Sequence, residues 1–438
     1  MSQLEAAPRS RSPGYAQAKV RPHLALGLLF AIGLVNYIDR VAMSVLQVPV
    51  KTELQLSDEQ IGLLMGFAFF IPYTLLSIPM ARLADRGNRK LVIVVALALW
   101  SAMTFSVGLA NSFAMLLFLR VGVALGEACC LPTSYSMIAN IFPKEKLGRA
   151  IAIFGTTFPI GSMIGLVASG QLDAQLGWRQ SFFAIGAIGL LLVPVVMIGL
   201  KEPVRETASG STAPKVKLTE ALLDIWRRKA FRYCILGLGM QSIVSIALLT
   251  WAAPFYSRSF KLDLGTVSLL VGFVMAGAGA IGTLGGGLLG DRLARRRPSK
   301  LMFLPAVAAL VATPLALLQL LTGNLAISVT AALVCSLLAN VYLAPCNALI
   351  QRLARHGTQA LAAAVGVTGA AILGGGLGPW GVGKLSDYLA ELTGSPADGL
   401  RYAVAAFMLA GLPAAYFFWL SMRHLERDET SGDMEAGG

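Results

Sequence analysis

A chain of 438 residues that is 56% hydrophobic and 13% charged is unsuited to water, because soluble domains carry roughly 25% charged residues. Its formal charge is +13, but the basic residues gather in alternate loops, which argues for membrane topology and against nucleic-acid binding. The cysteines (Cys129, Cys130, Cys234, Cys335, Cys346) and histidines (His23, His356, His424) lack metal-ligand spacing, so no metal site is expected and the cysteines read as packing residues.

In chain order, residues 1–23 form a polar tail without the pattern of a cleaved signal peptide. Apolar segments follow at 24–48, 59–83, 90–110, 113–141, 147–171 and 181–200. Each is long enough to cross about 30 Å of hydrocarbon. In that medium the backbone must satisfy its own hydrogen bonds, so the segments are predicted helices; the alternation of a closed barrel is missing. A polar break at 201–230 begins with Lys201-Glu202-Pro203. The stretch from Leu218 to Phe231, with Arg227, Arg228 and Lys229, reads as a surface helix ending this linker. Six more apolar segments run at 231–256, 265–290, 299–322, 325–350, 359–387 and 399–422, and residues 423–438 form a second polar tail.

The expected fold is thus an all-α membrane protein of twelve transmembrane helices, in bundles at 24–200 and 231–422 joined by a cytoplasmic linker. Lys and Arg number 28 on the side carrying both tails and 6 on the other, which predicts cytoplasmic termini in a cell inner membrane. The halves also repeat: Ala84-Asp85-Arg86 follows the second helix, and Gly290-Asp291-Arg292 follows the eighth. Repeats of this kind are common in secondary transporters, with the substrate site between them.

The stretch Ala81-Arg82-Leu83-Ala84-Asp85-Arg86-Gly87-Asn88-Arg89-Lys90 resembles the loop signature of the major facilitator superfamily, G-x-L-A-D-R-x-G-R-K, with Ala81 and Asn88 at two of its glycines. Within that superfamily, Asn36-Tyr37-Ile38-Asp39-Arg40 is similar to both the Spinster family and the organic anion:cation symporters. Asp85 to Lys90 resembles the Spinster D-R-Y-N-R-K form, with Gly87 for Tyr. Arg120 followed by Gly126-Glu127-Ala128, and Phe158-Pro159-Ile160-Gly161-Ser162, are similar to further Spinster stretches. Gly378 to Asp387 resembles a pattern found in several branches. The resemblance implies transport of lysolipids or sphingolipids and proton coupling through the acidic residue of helix 1.

Four ionisable residues fall deep in the membrane: Asp39, Arg40, Arg120 and Glu127. Such groups are costly there and mark functional sites. Helical rise places Asp39 roughly 22 Å up helix 1 and Arg120 roughly 10 Å below the opposite end of helix 4, hence at similar depth. Glu127 lies two turns further on the same face as Arg120. Burial favours a neutral carboxyl and a nearby guanidinium favours the charged form, so moving Arg40 or Arg120 relative to Asp39 would load or release a proton. The alternative is a static charge network between helices 1 and 4. In the signature loops, Asp85, Arg86, Arg89, Lys90, Asp291 and Arg292 are candidate gating residues; topology alone is the competing explanation.

The predicted substrate cavity draws on Asn36, Tyr37, Arg40 and Arg120 from the first half and on Gln241, Ser245, Asn340 and Tyr342 from the second. A cavity charged on one side and apolar on the other suits an amphipathic solute. The expected function is therefore proton-coupled transport of a lysophospholipid- or sphingolipid-like substrate by alternating access. The alternative is an organic anion or drug in the same fold. Expected partners are that substrate, protons and membrane lipids, with no nucleic acid; a monomer is expected. The energy source is the proton gradient and no cofactor is expected. No nucleotide-binding loop or catalytic triad suggests an enzyme. Glycines crowd helices 5, 8 and 11, and those from Gly282 to Gly287 are expected either to pack closely or to let helix 8 bend.

Overall fold

The computed structural model describes residues 21–202, 226–295, 297–354 and 359–430. Among them are twelve helices long and apolar enough to cross a membrane: Pro22–Leu54, Asp58–Ser77, Arg89–Val107, Phe113–Ile141, Glu145–Leu176, Trp178–Gly199, Lys229–Phe260, Leu264–Ala294, Pro298–Leu321, Leu325–Leu353, Leu361–Thr393 and Pro396–Arg427. They are numbered here as spans 1 to 12. No strand occurs among the described residues. The face carrying the chain ends is called the terminal face and the opposite one the distal face.

Several boundaries differ from expectation: spans 1, 5 and 11 run on to Leu54, Leu176 and Thr393, past the expected ends at 48, 171 and 387. Span 7 starts at Lys229, so the last turn of the predicted surface helix is the first turn of a membrane helix, with Ala230 and Phe231 buried. The rest of that segment, 203–225, lies outside the described residues, as do tail residues 1–20 and 431–438. Span 12 runs to Arg427, beyond the predicted end at 422. Aromatic contacts continue there: His424 stacks on Tyr233 at 5.4 Å, and Arg423 lies 4.0 Å from the Trp419 ring.

The buried apolar residues explain how the halves meet. One cluster is shared by both, drawing on Val41 to Val50 of span 1, Ile61 and Leu64 of span 2, Val244 to Tyr256 of span 7 and Val267 to Met275 of span 8. It occupies the distal half of the molecule. Toward the terminal face each half has its own cluster, around Ile32, Trp100 and Phe154 in the first and around Phe231, Leu349 and Phe418 in the second. The halves are thus sealed distally and separately packed near the chain ends.

Several spans are not continuous α-helices. Span 2 breaks at Gly66 (φ −98°, ψ −106°), where an added Cβ would lie 2.6 Å from the Gly376 carbonyl oxygen of span 11. Span 4 has a turn at residues 128 and 129, directly after Glu127, and span 10 has one at 340–342. Spans 8 and 11 each contain a π-helical stretch, Leu270–Gly277 and Ala370–Leu377. Such stretches re-aim side chains and recur at functional sites. Two of the span 8 glycines pack closely: Cβ atoms on Gly282 and Gly286 would collide with the carbonyls of Leu337 and Val341 on span 10.

Candidate functional site: an intramembrane charge cluster

Asp39 and Arg40 are neighbours in span 1, so their side chains leave the helix about 100° apart and reach different partners. Asp39 is 3% exposed and accepts a 2.5 Å hydrogen bond from the Thr104 hydroxyl of span 3. Arg40 points to span 4, where its Nε and Nη2 donate to Glu127 Oε2 at 2.9 and 2.7 Å. Nη2 also lies 3.4 Å from Asn36 Oδ1. Glu127 is fully buried, and its second oxygen, Oε1, has no hydrogen-bond partner.

Arg120, two turns from Glu127 on the same face of span 4, makes only a long hydrogen bond, from Nη2 to the Arg40 carbonyl at 3.4 Å. Its Nε is buried without a partner. The guanidinium lies instead 4.6 Å from the centre of the Phe69 ring. Arg40 sits among three rings, Tyr37, Phe69 and Tyr73, at 5.3, 5.2 and 4.9 Å. Ring faces attract cations, and more so away from water. The four charged groups therefore balance in sign, but they form a single ion pair, Arg40–Glu127. Asp39 and Arg120 line the same small cavity with Thr104 and Phe182, about 20 Å³ in size, which is room for one water molecule.

A second cavity, about 70 Å³, opens between spans 5, 7, 8 and 10. Phe158, Leu248 and Met275 give it an apolar wall, and Ser245, Thr283 and Asn340 supply polar groups. Of the residues predicted for the substrate cavity, Ser245 and Asn340 line this space. Gln241 and Tyr342 are packed between spans 7 and 10: Gln241 donates to the Ala339 carbonyl at 3.1 Å, and Tyr342 meets the Ser242 hydroxyl at 3.2 Å. Asn36 and Tyr37 stand beside Arg40 in the charge cluster.

At the distal face the structure shows an assembly that the sequence reading did not single out. Asp58, the first residue of span 2, binds Arg258 of span 7 through two 2.7 Å hydrogen bonds. Its carboxylate also pairs with Lys51 and accepts from Ser386 at 2.7 Å. Asp387 of span 11 accepts from the backbone N–H groups of Asp58 and Glu59 at 2.9 and 2.7 Å, placing an anion on a helix N-terminus. Ser57 and Gln60 complete a capping box at the same turn. One signal was available: Ser57-Asp58-Glu59-Gln60 is a helix-start pattern with more acid than a cap needs. At the next distal turn, hydrogen bonds from Thr266 hold the exposed Asp263 carboxyl below the usual carboxylate range.

At the terminal face Asn88 caps span 3, and the Lys90 N–H donates to Glu202 at 2.8 Å, tying the signature loop to the first residues of the linker. Arg89 is buried, whereas Asp291 and Arg292 are exposed at the end of span 8. The side chains of Asp85 and Arg86 lie outside the described residues.

Two halves of six spans, sealed at one face around intramembrane charges, form a transporter architecture, and residues 28–379 match the model of the Major Facilitator Superfamily. The chain belongs to the Major Facilitator Superfamily. As a superfamily transporter it is a multi-pass membrane protein. It is 33% identical over 410 residues to an MFS-type efflux pump of Mycolicibacterium smegmatis, covering 93% of this chain and 94% of that one. Protein spinster homolog 3 of Danio rerio is 23% identical, over 95% of this chain and 88% of the relative. The likeness to Spinster extends to structure. A bacterial homolog of the human lysosomal transporter Spinster, in an inward-facing and unoccupied conformation, superposes with a TM-score of 0.86 at 27% identity, covering 93% of this chain and 98% of that one.

Proposed function

We propose that this superfamily transporter is proton-coupled and moves an amphipathic, lysophospholipid- or sphingolipid-like substrate by alternating access. In this reading it lies in the cell inner membrane with both termini cytoplasmic, and its distal face is the outer one. The observation that carries the reading is the division of the site. A buried carboxylate, Asp39, stands beside a guanidinium it does not bond, and the cavity across the bundle interface is mostly apolar.

Asp39 takes and yields the proton as Arg120 approaches or withdraws, and Glu127 shares that work through Arg40. The guanidiniums suit the anionic part of a head group, and the apolar wall with Ser245 and Asn340 suits the chain and its polar attachment. The distal assembly around Asp58 is the outer gate, closed here. The separately packed terminal halves leave the cytoplasmic side as the exit. Asp85, Arg86, Arg89, Lys90, Asp291 and Arg292 would hold that side shut in the opposite state. The inward-facing conformation of the Spinster homolog supports this assignment.

A second reading, export of an organic anion or drug, is supported by the efflux-pump relative. Proteoliposomes separate the two. With a pH gradient imposed, a labelled lysophospholipid is expected to move several-fold faster than without it, and a small carboxylate or a cationic dye is expected not to respond. A gradient response confined to the carboxylate or dye would replace the lipid reading with the second.

A further inference from the structure

We propose that Phe69 is a positioning residue of the charge cluster: its ring detains Arg120, so that Asp39 stays unpaired while the distal gate is closed. The inference rests on the proton-coupling reading above and adds the element that decides when the cation reaches the acid.

Phe69 is fully buried and lies 4.6 Å from the Arg120 guanidinium and 5.2 Å from that of Arg40. It is the aromatic ring that both cations share. The groups facing Asp39 are Thr104 of span 3, Arg120 and Glu127 of span 4, and Arg40 of its own span. Glu127 is taken by Arg40, and Asp39 holds the Thr104 hydroxyl. Arg120 is then the cation without a carboxylate. It borders the same small cavity as Asp39, yet its close neighbour is the ring of Phe69. Without that ring, Asp39 is the acid within reach.

The ring is also connected to the bundle interface. Phe67 and Phe70 are one helical turn apart and meet span 11 of the other half: Cβ atoms on Gly376 and Gly375 would lie 2.5 Å from their rings, and Phe67 packs 5.6 Å from Trp380. Phe69 faces the charges from the same run, just after the break at Gly66. Separation of span 2 from span 11 therefore disturbs the segment that holds Phe69. The distal seal and the reach of Arg120 are linked through four consecutive residues, Phe67 to Phe70.

The test reads Asp39 directly. The full chain in nanodiscs is treated with a hydrophobic carbodiimide, which modifies protonated carboxyls, from about pH 5 to 9, and labelling of Asp39 is mapped by mass spectrometry. In Phe69→Leu, Arg120 is free to pair with Asp39, and the labelling midpoint is expected to fall by about one pH unit. Phe69→Tyr keeps the ring and is expected to restore the wild-type midpoint. Phe69→Met repeats the test at similar volume should the leucine variant fail to fold. Unchanged midpoints in both ring-less variants, with a wild type that does titrate, would overturn the role of Phe69 alone. A wild type whose Asp39 labelling is independent of pH would overturn both this inference and the coupling reading.

Discussion

Asp58 and Arg258, 200 residues apart in sequence, join the two halves of the transporter through paired 2.7 Å hydrogen bonds. The Asp58 side chain is 3% exposed and that of Arg258 19%, so the pair is largely shielded from water. Removing one member of a buried pair costs up to about 3–5 kcal/mol when the other is left without a counter-charge; Lys51 still pairs with Asp58, so the loss of Arg258 costs less than that. Arg258→Ala is therefore expected to favour the distal-open state. In a background lacking the native cysteines, a cysteine at Gln47, whose side chain bridges to the Thr250 carbonyl at 2.6 Å, should react with a distal-side thiol reagent at least about tenfold faster in Arg258→Ala. Equal reaction rates would remove Asp58–Arg258 from the gate.

Asp387 acts on the same gate by a different force, the field of a helix N-terminus. An anion there contributes roughly 0.3–2 kcal/mol. Asp387→Asn is expected to accelerate the same thiol reaction less than Arg258→Ala does. An effect equal to or larger than that of Arg258→Ala would mean that Asp387 has a partner beyond the two backbone N–H groups.

Span 8 offers an internal control for close packing. A Cβ on Gly286 meets the Val341 carbonyl, whereas one on Gly285 meets nothing within 4 Å. Gly286→Ala is expected to destabilise by about 1–3 kcal/mol. Gly285→Ala should be neutral or gain about 0.5–1 kcal/mol of helix stability. Thermal melting in detergent distinguishes them, and equal melting temperatures would contradict the close approach of spans 8 and 10.

The Arg40–Glu127 pair is suited to a double-mutant cycle. Glu127→Gln leaves Arg40 without its anion, and Arg40→Ala leaves a buried carboxylate without its cation. Each alone should lower stability by several kcal/mol, on the order of 3–5. The double variant should lose less than the sum, with a coupling of about 0.5–3 kcal/mol. Strict additivity would mean that the pair contributes nothing as a pair.

The twelve spans could be read from the sequence because each is an apolar run long enough to cross a bilayer, a local property. The depth of Asp39 and Arg120 followed from helical rise alone. Which acid pairs with which base did not. Arg120 and Glu127 share one helix face, and either could meet Arg40 or Asp39; helix rotation and the rings of Tyr37, Phe69 and Tyr73 decide the matter. The distal gate was missed because its members lie at helix ends, where charges are ordinary, and are joined only in three dimensions: Asp387 reaches Asp58 across 329 residues. Gln241 and Tyr342 looked like cavity residues by depth, but the Gln241 amide N–H and the Tyr342 hydroxyl are engaged between spans 7 and 10.

A protonation change at Asp39 is the central step of the proposed cycle, and substrate flux under an imposed pH gradient tests it in the Asp39→Asn transporter. Gradient-driven lysophospholipid transport should disappear, while exchange of labelled for unlabelled lipid without a gradient should continue. Gradient-driven transport at the wild-type rate in that variant would contradict the account.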